Sequence, residues 1–227
     1  MKSFDCASVS IRASVRMGLQ MQAGRIARQS QPRAAQGCRL AWVGIPWWEA
    51  WFTGSSDGGL VRGALYQYLA DDHIRLDLLL QRAVASPGVI DAAPYHEFRK
   101  GILRHISMEE KIVLPAIARW QGGRKAAIGE RLRLDHGALV ALLAPPPTPS
   151  IMLTIQSILE VHNELEEREG GFYELFGGLA GDETERMLAQ LKSAPPVAVL
   201  PNNDKPEVLE SAKKVVAMAG HEFKVAS

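Results

Sequence analysis

Four long stretches of helical hydrophobic period each carry one histidine on the apolar stripe, near the middle of the stretch. This arrangement limits the fold more than any other feature of the chain. Segment A (about Leu60–Val84) sets His73 on one face with Leu65, Leu69, Leu76 and Leu80. Segment B (about Tyr95–Trp120) sets His105 with Phe98, Ile102 and Ile112. Segment C (about Arg124–Leu143) sets His136 with Ile128, Leu132, Leu139, Val140 and Leu143. Segment D runs from Ser150, read as an N-cap after Pro149, to Gly177-Gly178, and sets His162 with Ile151, Ile155, Ile158, Leu159 and Leu165. Offsets of three, four and seven place these residues toward a common core. Ser86-Pro87-Gly88, Gly122-Gly123 and Pro145-Pro146-Pro147 break the pattern between segments, and Pro115 kinks or shortens segment B. Short connections make sequential helices antiparallel, so the expected fold is all-α, an up-down-up-down four-helix bundle.

Each histidine lies about 10 to 13 residues into its segment, which at 1.5 Å per residue puts all four within roughly 5 Å of one depth. Glu109 follows His105 by four residues, Glu166 follows His162 by four, and Asp77 stands in the same relation to His73. One histidine on an apolar face is ordinarily a hydrogen-bonded core residue. Four imidazoles and two or three carboxylates in one buried layer are costly without compensation, and a metal pair is the natural one. Imidazole suits iron, zinc, copper and nickel, and carboxylates can bridge two hard cations.

Composition narrows the alternatives. With 26 Lys+Arg against 25 Asp+Glu the net charge is +1, so no global field draws the chain to nucleic acid or anionic lipid. No run of apolar residues is long enough for a transmembrane helix. Cys6 and Cys38, the two cysteines, exclude a disulfide framework and a cysteine-based zinc site. His-Glu-x-x-His, Gly-x-Ser-x-Gly and the phosphate-loop motif are absent. Residues 1–59 read as a basic, disordered extension with a tryptophan-rich segment (Trp42, Trp47, Trp48, Trp51), an organelle transit peptide being the other reading. The bundle is expected over 60–178, and 179–227 as an appendage with short helices near 182–193 and 206–219.

The stretches Asp71-Asp72-His73-Ile74-Arg75-Leu76-Asp77, His105-Ile106-Ser107-Met108-Glu109-Glu110, Asp135-His136 and His162-Asn163-Glu164-Leu165-Glu166-Glu167 resemble the hemerythrin-like (HHE cation-binding) family. The resemblance covers about residues 60–176, and its specificity lies in the order of the pieces, one on each of four helices. It implies two non-heme iron ions, with His73, His105, His136 and His162 as terminal ligands and Glu109 and Glu166 as bridges. Oxygen-carrying members place a further histidine where this chain has Val140. That departure points away from reversible transport and toward binding or sensing of oxygen, nitric oxide or iron. A di-iron redox enzyme or an iron-centre repair protein is the alternative. The ligand set also accepts zinc, and a site of nitrogen and oxygen ligands alone suits a di-iron centre better than structural zinc. Ferritin-like oxidases use Glu-x-x-His pairs, and no histidine here has Glu three residues before it. The expected partner is a small diatomic ligand, with no nucleic acid and no membrane, in the cytoplasm.

Other polar residues are expected outside the ligand set. Asp77 is read as a solvated acid or a neighbour of a ligand, a further ligand being the other reading, His96 as a surface residue opposite His105, and His221 as solvent-exposed. Glu110 and Glu167 lie 100° off the ligand direction and read as solvated, or at best as partners of a ligand. Asp135 reads as an exposed acid able to hydrogen-bond a ligand's free N–H. Tyr66, Tyr68, Tyr95 and Tyr173 read as packing residues, the other reading being that one near the metal hydrogen-bonds a ligand or is oxidised.

Overall fold

The apolar stripes become helices close to where the sequence puts them. A computed structural model describes residues 62–226, and among these the chain is all-helical, without a named strand. The basic N-terminal stretch, Cys6, Cys38 and the Trp42–Trp51 segment lie outside the described residues. The elements are α1 (Ala64–Ala83), α2 (Ala92–Met108), a π-helical turn (Glu109–Val113), α3 (Leu114–Trp120), α4 (Ala127–Leu142), α5 (Pro149–Glu167), α6 (Phe172–Ala180), a 3-10 turn (Gly181–Glu183), α7 (Thr184–Lys192) and α8 (Pro206–Met218). No helix among them is long and apolar enough to cross a membrane.

Three local features differ from expectation, each for a physical reason. Helix α5 is capped by Thr148, whose Oγ1 accepts from the Ile151 N–H at 3.3 Å, rather than by Ser150. Pro149 then takes the first helical position, where its missing N–H costs nothing. Segment B does not simply kink at Pro115. Proline cannot donate to the carbonyl four residues back, and its ring crowds that carbonyl. The chain widens into the π turn just before it, where the Leu114 N–H reaches back five residues to the Glu109 carbonyl. Segment D is two helices rather than one. Arg168 turns extended, Gly170 sits at φ 69°, and Gly171 brings the backbone so close that a Cβ there would lie 2.7 Å from the Arg168 carbonyl oxygen. Only glycine fits both positions. The chain restarts as α6 with Phe172 and Tyr173 fully buried.

Buried apolar residues form two clusters with the histidine layer between them. One holds Leu76, Leu80, Phe98, Ile102, Leu139, Ile155 and Ile158, and is completed by Ala212 and Val216 of α8. The other holds Leu65, Leu69, Met108, Leu132, Phe172 and Phe176, and is completed by Met187 and Leu191 of α7. Every histidine stands where its helix passes from one cluster to the other: His73 between Leu69 and Leu76, His105 between Ile102 and Met108, His136 between Leu132 and Leu139. Val140, placed on the core face by its spacing, is exposed instead. Helix α1 packs on α2, α5, α6 and α7, and α4 packs on α5 and α8. The C-terminal segment is fastened by buried Arg99, which donates to the carbonyls of Leu143 at 3.0 Å and Leu200 at 2.9 Å.

Thr148→Ala removes the α5 cap and should cost about 1 kcal/mol, a fall of about 2–4 °C in melting temperature, while metal content stays unchanged. Thermal melts and elemental analysis of the variant check this.

Candidate metal centre

His73, His105, Glu109 and Glu166 offer donor atoms within 4.8 Å of one another, and so do Glu109, His136, His162 and Glu166. All six residues predicted from sequence are thus brought together, and all are buried. The two glutamates belong to both groups and divide their oxygens between them. Glu109 places Oε1 3.3 Å from His105 Nε2 and Oε2 3.0 Å from His136 Nε2. Glu166 places Oε2 3.3 Å from His73 Nε2 and Oε1 3.3 Å from His162 Nε2. His73 Nε2 and His105 Nε2 are 2.9 Å apart. Neighbouring donors around an ion with six octahedral ligands and bonds of about 2.1 Å stand about 3 Å apart, so these separations suit shared coordination. Asp77 is in neither group. It accepts from Gln81 Nε2 at 2.5 Å, and burial raises its pKa.

The far nitrogen of each ring faces a second carboxylate. His73 Nδ1 lies 2.5 Å from Glu167, His105 Nδ1 3.0 Å from Asp72, His136 Nδ1 2.7 Å from Glu110 and His162 Nδ1 3.6 Å from Asp135. Such carboxylates fix ring orientation and raise donor strength at histidine metal sites. Glu167 and Asp135 are therefore buried partners, not solvated acids, and Asp135 is 0% exposed. His221 is not in solvent either. Its side chain is 10% exposed, and Nε2 lies 2.7 Å from Asp135 Oδ1, which also accepts from Arg131 at 2.7 Å. His96 is on the surface as expected.

Tyr173, read as a packing residue, sits among the donors of the first group. Its hydroxyl lies 2.8 Å from Glu109 Oε1, 3.0 Å from Glu166 Oε2, 3.0 Å from His73 Nε2 and 3.1 Å from His105 Nε2. Burial, then the neighbouring glutamates, push its pKa well above the ordinary tyrosine range. Burial opposes charge on His73, His105 and His136, but the carboxylates outweigh it. Glu109 and Asp72 raise His105 to about 10, and Glu109 and Glu110 raise His136 to about 9. Asp72 resists its own burial through the His105 contact and Arg75, and is lowered to about 2.

The protein groups alone do not satisfy this layer. One phenol proton can serve Glu109 Oε1 or Glu166 Oε2 but not both, and the imidazole Nε2 atoms beside these oxygens stand at a long 3.3 Å. On the other side Glu109 Oε2 and His136 Nε2, although 3.0 Å apart, and Glu166 Oε1 are buried without a well-directed hydrogen bond. Buried polar atoms of this kind call for a further body, and acceptor oxygens beside imidazole nitrogens call for a cation. The residues therefore fit a metal pair.

Sequence reasoning passed over Asp72 and undervalued Glu110, Glu167, Asp135 and Tyr173. A signal for four of these was present. The pieces Asp-His and His-x-x-x-Glu-Glu each occur twice, in the order Asp72-His73, His105…Glu109-Glu110, Asp135-His136, His162…Glu166-Glu167. The acid beside His73, Glu109, His136 and Glu166 is in each case the one that faces a histidine on another helix. Tyr173 left no comparable signal, because it depends on the break after α5. Compared with protein-family models, with curated proteins and with solved structures, the chain has no match.

Two outcomes follow. Asp72→Ala and Glu167→Ala should each weaken metal binding about 10- to 100-fold without removing a donor, as competition with a chelator would show. In chelator-treated protein, the stabilisation from raised His105 and His136 is complete below about pH 6.5 and lost as pH rises through about 9 to 10. That from Asp72 is complete above about pH 4 and lost as pH falls through about 2, so melting temperatures across pH should pass through a maximum between these limits.

Proposed function

We propose that this chain is a hemerythrin-like di-iron protein that binds or senses a small diatomic ligand, oxygen or nitric oxide, or iron itself. The observation that carries the reading is the division of Glu109 and Glu166 between two histidine pairs, one oxygen to each side. His73 and His105 would hold one ion and His136 and His162 the other, with the two glutamates shared. Bound iron would supply redox-active electrons and coordination positions open to a diatomic ligand.

The scaffold in this reading is an up-down-up-down four-helix bundle of α1, α2 with its π turn and α3, α4, and α5. Its support is the alternation of the two apolar clusters. Along α1 the cluster containing Leu69 precedes the one containing Leu76, along α2 the order reverses, and α4 and α5 repeat the alternation. The chain's residues do three things for the centre. The six donors bring two carboxylate charges to be set against the ions. Asp72, Glu110, Asp135 and Glu167 hold the rings in place. The apolar clusters above and below keep bulk water from the layer, which strengthens every charge interaction within it.

Protein purified from its own host should contain about two iron ions per chain, as six shared ligands allow. Glu166→Ala, which removes a donor from both sides, should lose most of that iron. Finding no iron in the wild type, or unchanged iron in Glu166→Ala, overturns the reading. Titrating the reduced protein with oxygen and nitric oxide then separates its branches: reversible spectral change fits binding or sensing, and rapid turnover of oxygen fits the redox-enzyme alternative.

A further inference from the structure

We propose that the Tyr173 hydroxyl oxygen is itself a metal donor, a fifth ligand on the His73/His105 side with no equivalent on the His136/His162 side. This rests on the metal-centre reading above. The geometry is specific. Glu109 Oε1, His105 Nε2, His73 Nε2 and Glu166 Oε2 follow one another at 3.3, 2.9 and 3.3 Å, as successive corners of a four-donor base. The Tyr173 oxygen lies 2.8–3.1 Å from all four. An oxygen about 3 Å from each of four basal donors stands where the next vertex of an octahedral shell would. Without an ion the same oxygen can donate to one carboxylate and accept from an imidazole N–H, and a bound cation would take the place of those protons.

The position is built rather than incidental. Tyr173 is fully buried. Its ring meets Tyr66 edge to face at 5.9 Å, and the Tyr66 hydroxyl in turn donates to the Glu167 carbonyl at 2.8 Å. The break at Gly170-Gly171 sets where α6 begins and so where Tyr173 enters the layer. The recurrence of His-x-x-x-Glu-Glu makes the asymmetry plain. Tyr173 follows Glu166 by seven residues, and the residue seven after Glu109 is Ala116, which has no donor atom. On that second side three donor atoms are left without well-directed hydrogen bonds. With a fifth donor on one side and none equivalent on the other, more positions for an exogenous ligand would fall to the His136/His162 side. Tyr173 would hold the ion as phenolate, its proton being given up, by way of the neighbouring carboxylates, as metal is loaded.

The test uses the full chain, loaded with ferrous iron without oxygen and then oxidised in air. The ferric wild type should show a visible charge-transfer band whose resonance Raman spectrum contains phenolate ring modes. Tyr173→Phe should lose band and modes, and bind the weaker of its two irons about tenfold less tightly than wild type does. Ferric wild type without phenolate modes, or a Tyr173→Phe protein that keeps the band, overturns the proposal. If Tyr173→Phe does not fold, the wild-type Raman spectrum decides alone. Two bound irons without phenolate modes would sink only the Tyr173 assignment, whereas failure to bind iron would sink the metal-centre reading with it.

Discussion

The structure depends on a closed ring of carboxylate–imidazole contacts in one buried layer. Asp72 of α1 reaches His105 of α2, Glu110 after α2 reaches His136 of α4, Asp135 of α4 faces His162 of α5, and Glu167 of α5 reaches His73 of α1. Every contact crosses between helices, and each participating stretch both gives and receives one. Sliding or rotating any one helix breaks two contacts and exposes a charge to an apolar neighbour, an error much costlier than a misplaced leucine. The apolar clusters supply the drive to collapse, and the ring fixes the register in which collapse can end.

That ring explains why the backbone is irregular where it is. In a regular helix, Glu109 and Glu110 point 100° apart. Here both reach His136, Glu109 at Nε2 and Glu110 at Nδ1. The π turn before Pro115 begins at this pair, and such turns recur at functional sites because they re-aim side chains without ending the helix. Glu166 and Glu167 do the same for His73, at the last turn of α5. Helix ends and π turns thus fall where two adjacent side chains must serve one ring.

The helices and the convergence of the six central His and Glu side chains were legible in the sequence because both follow from one periodicity. An apolar stripe of period 3.6 marks the core face, and a histidine or glutamate in phase with it must point inward. Residues out of phase were not legible by that rule. Glu167 and Asp135 lie off the stripe, and their burial comes from histidines on neighbouring helices, which a single-helix projection does not see. Tyr173 was hidden for another reason. Its place depends on the turn at Gly170-Gly171, and a continuous segment D would have carried it to another height. Val140 errs in the opposite direction: in phase by spacing, it is exposed.

The depth of the layer also bears on traffic. His73, His105, Glu109, His136, His162 and Glu166 are all 3% exposed or less, roofed and floored by tightly packed side chains. Anything that reaches them from outside has to cross packed protein during brief local openings, and the ease of such crossings falls steeply with size. The fold acts as a molecular sieve in time rather than in space. Small species can use fleeting gaps, and bulkier reductants, chelators and anions reach the layer only at the slower rate of wider openings.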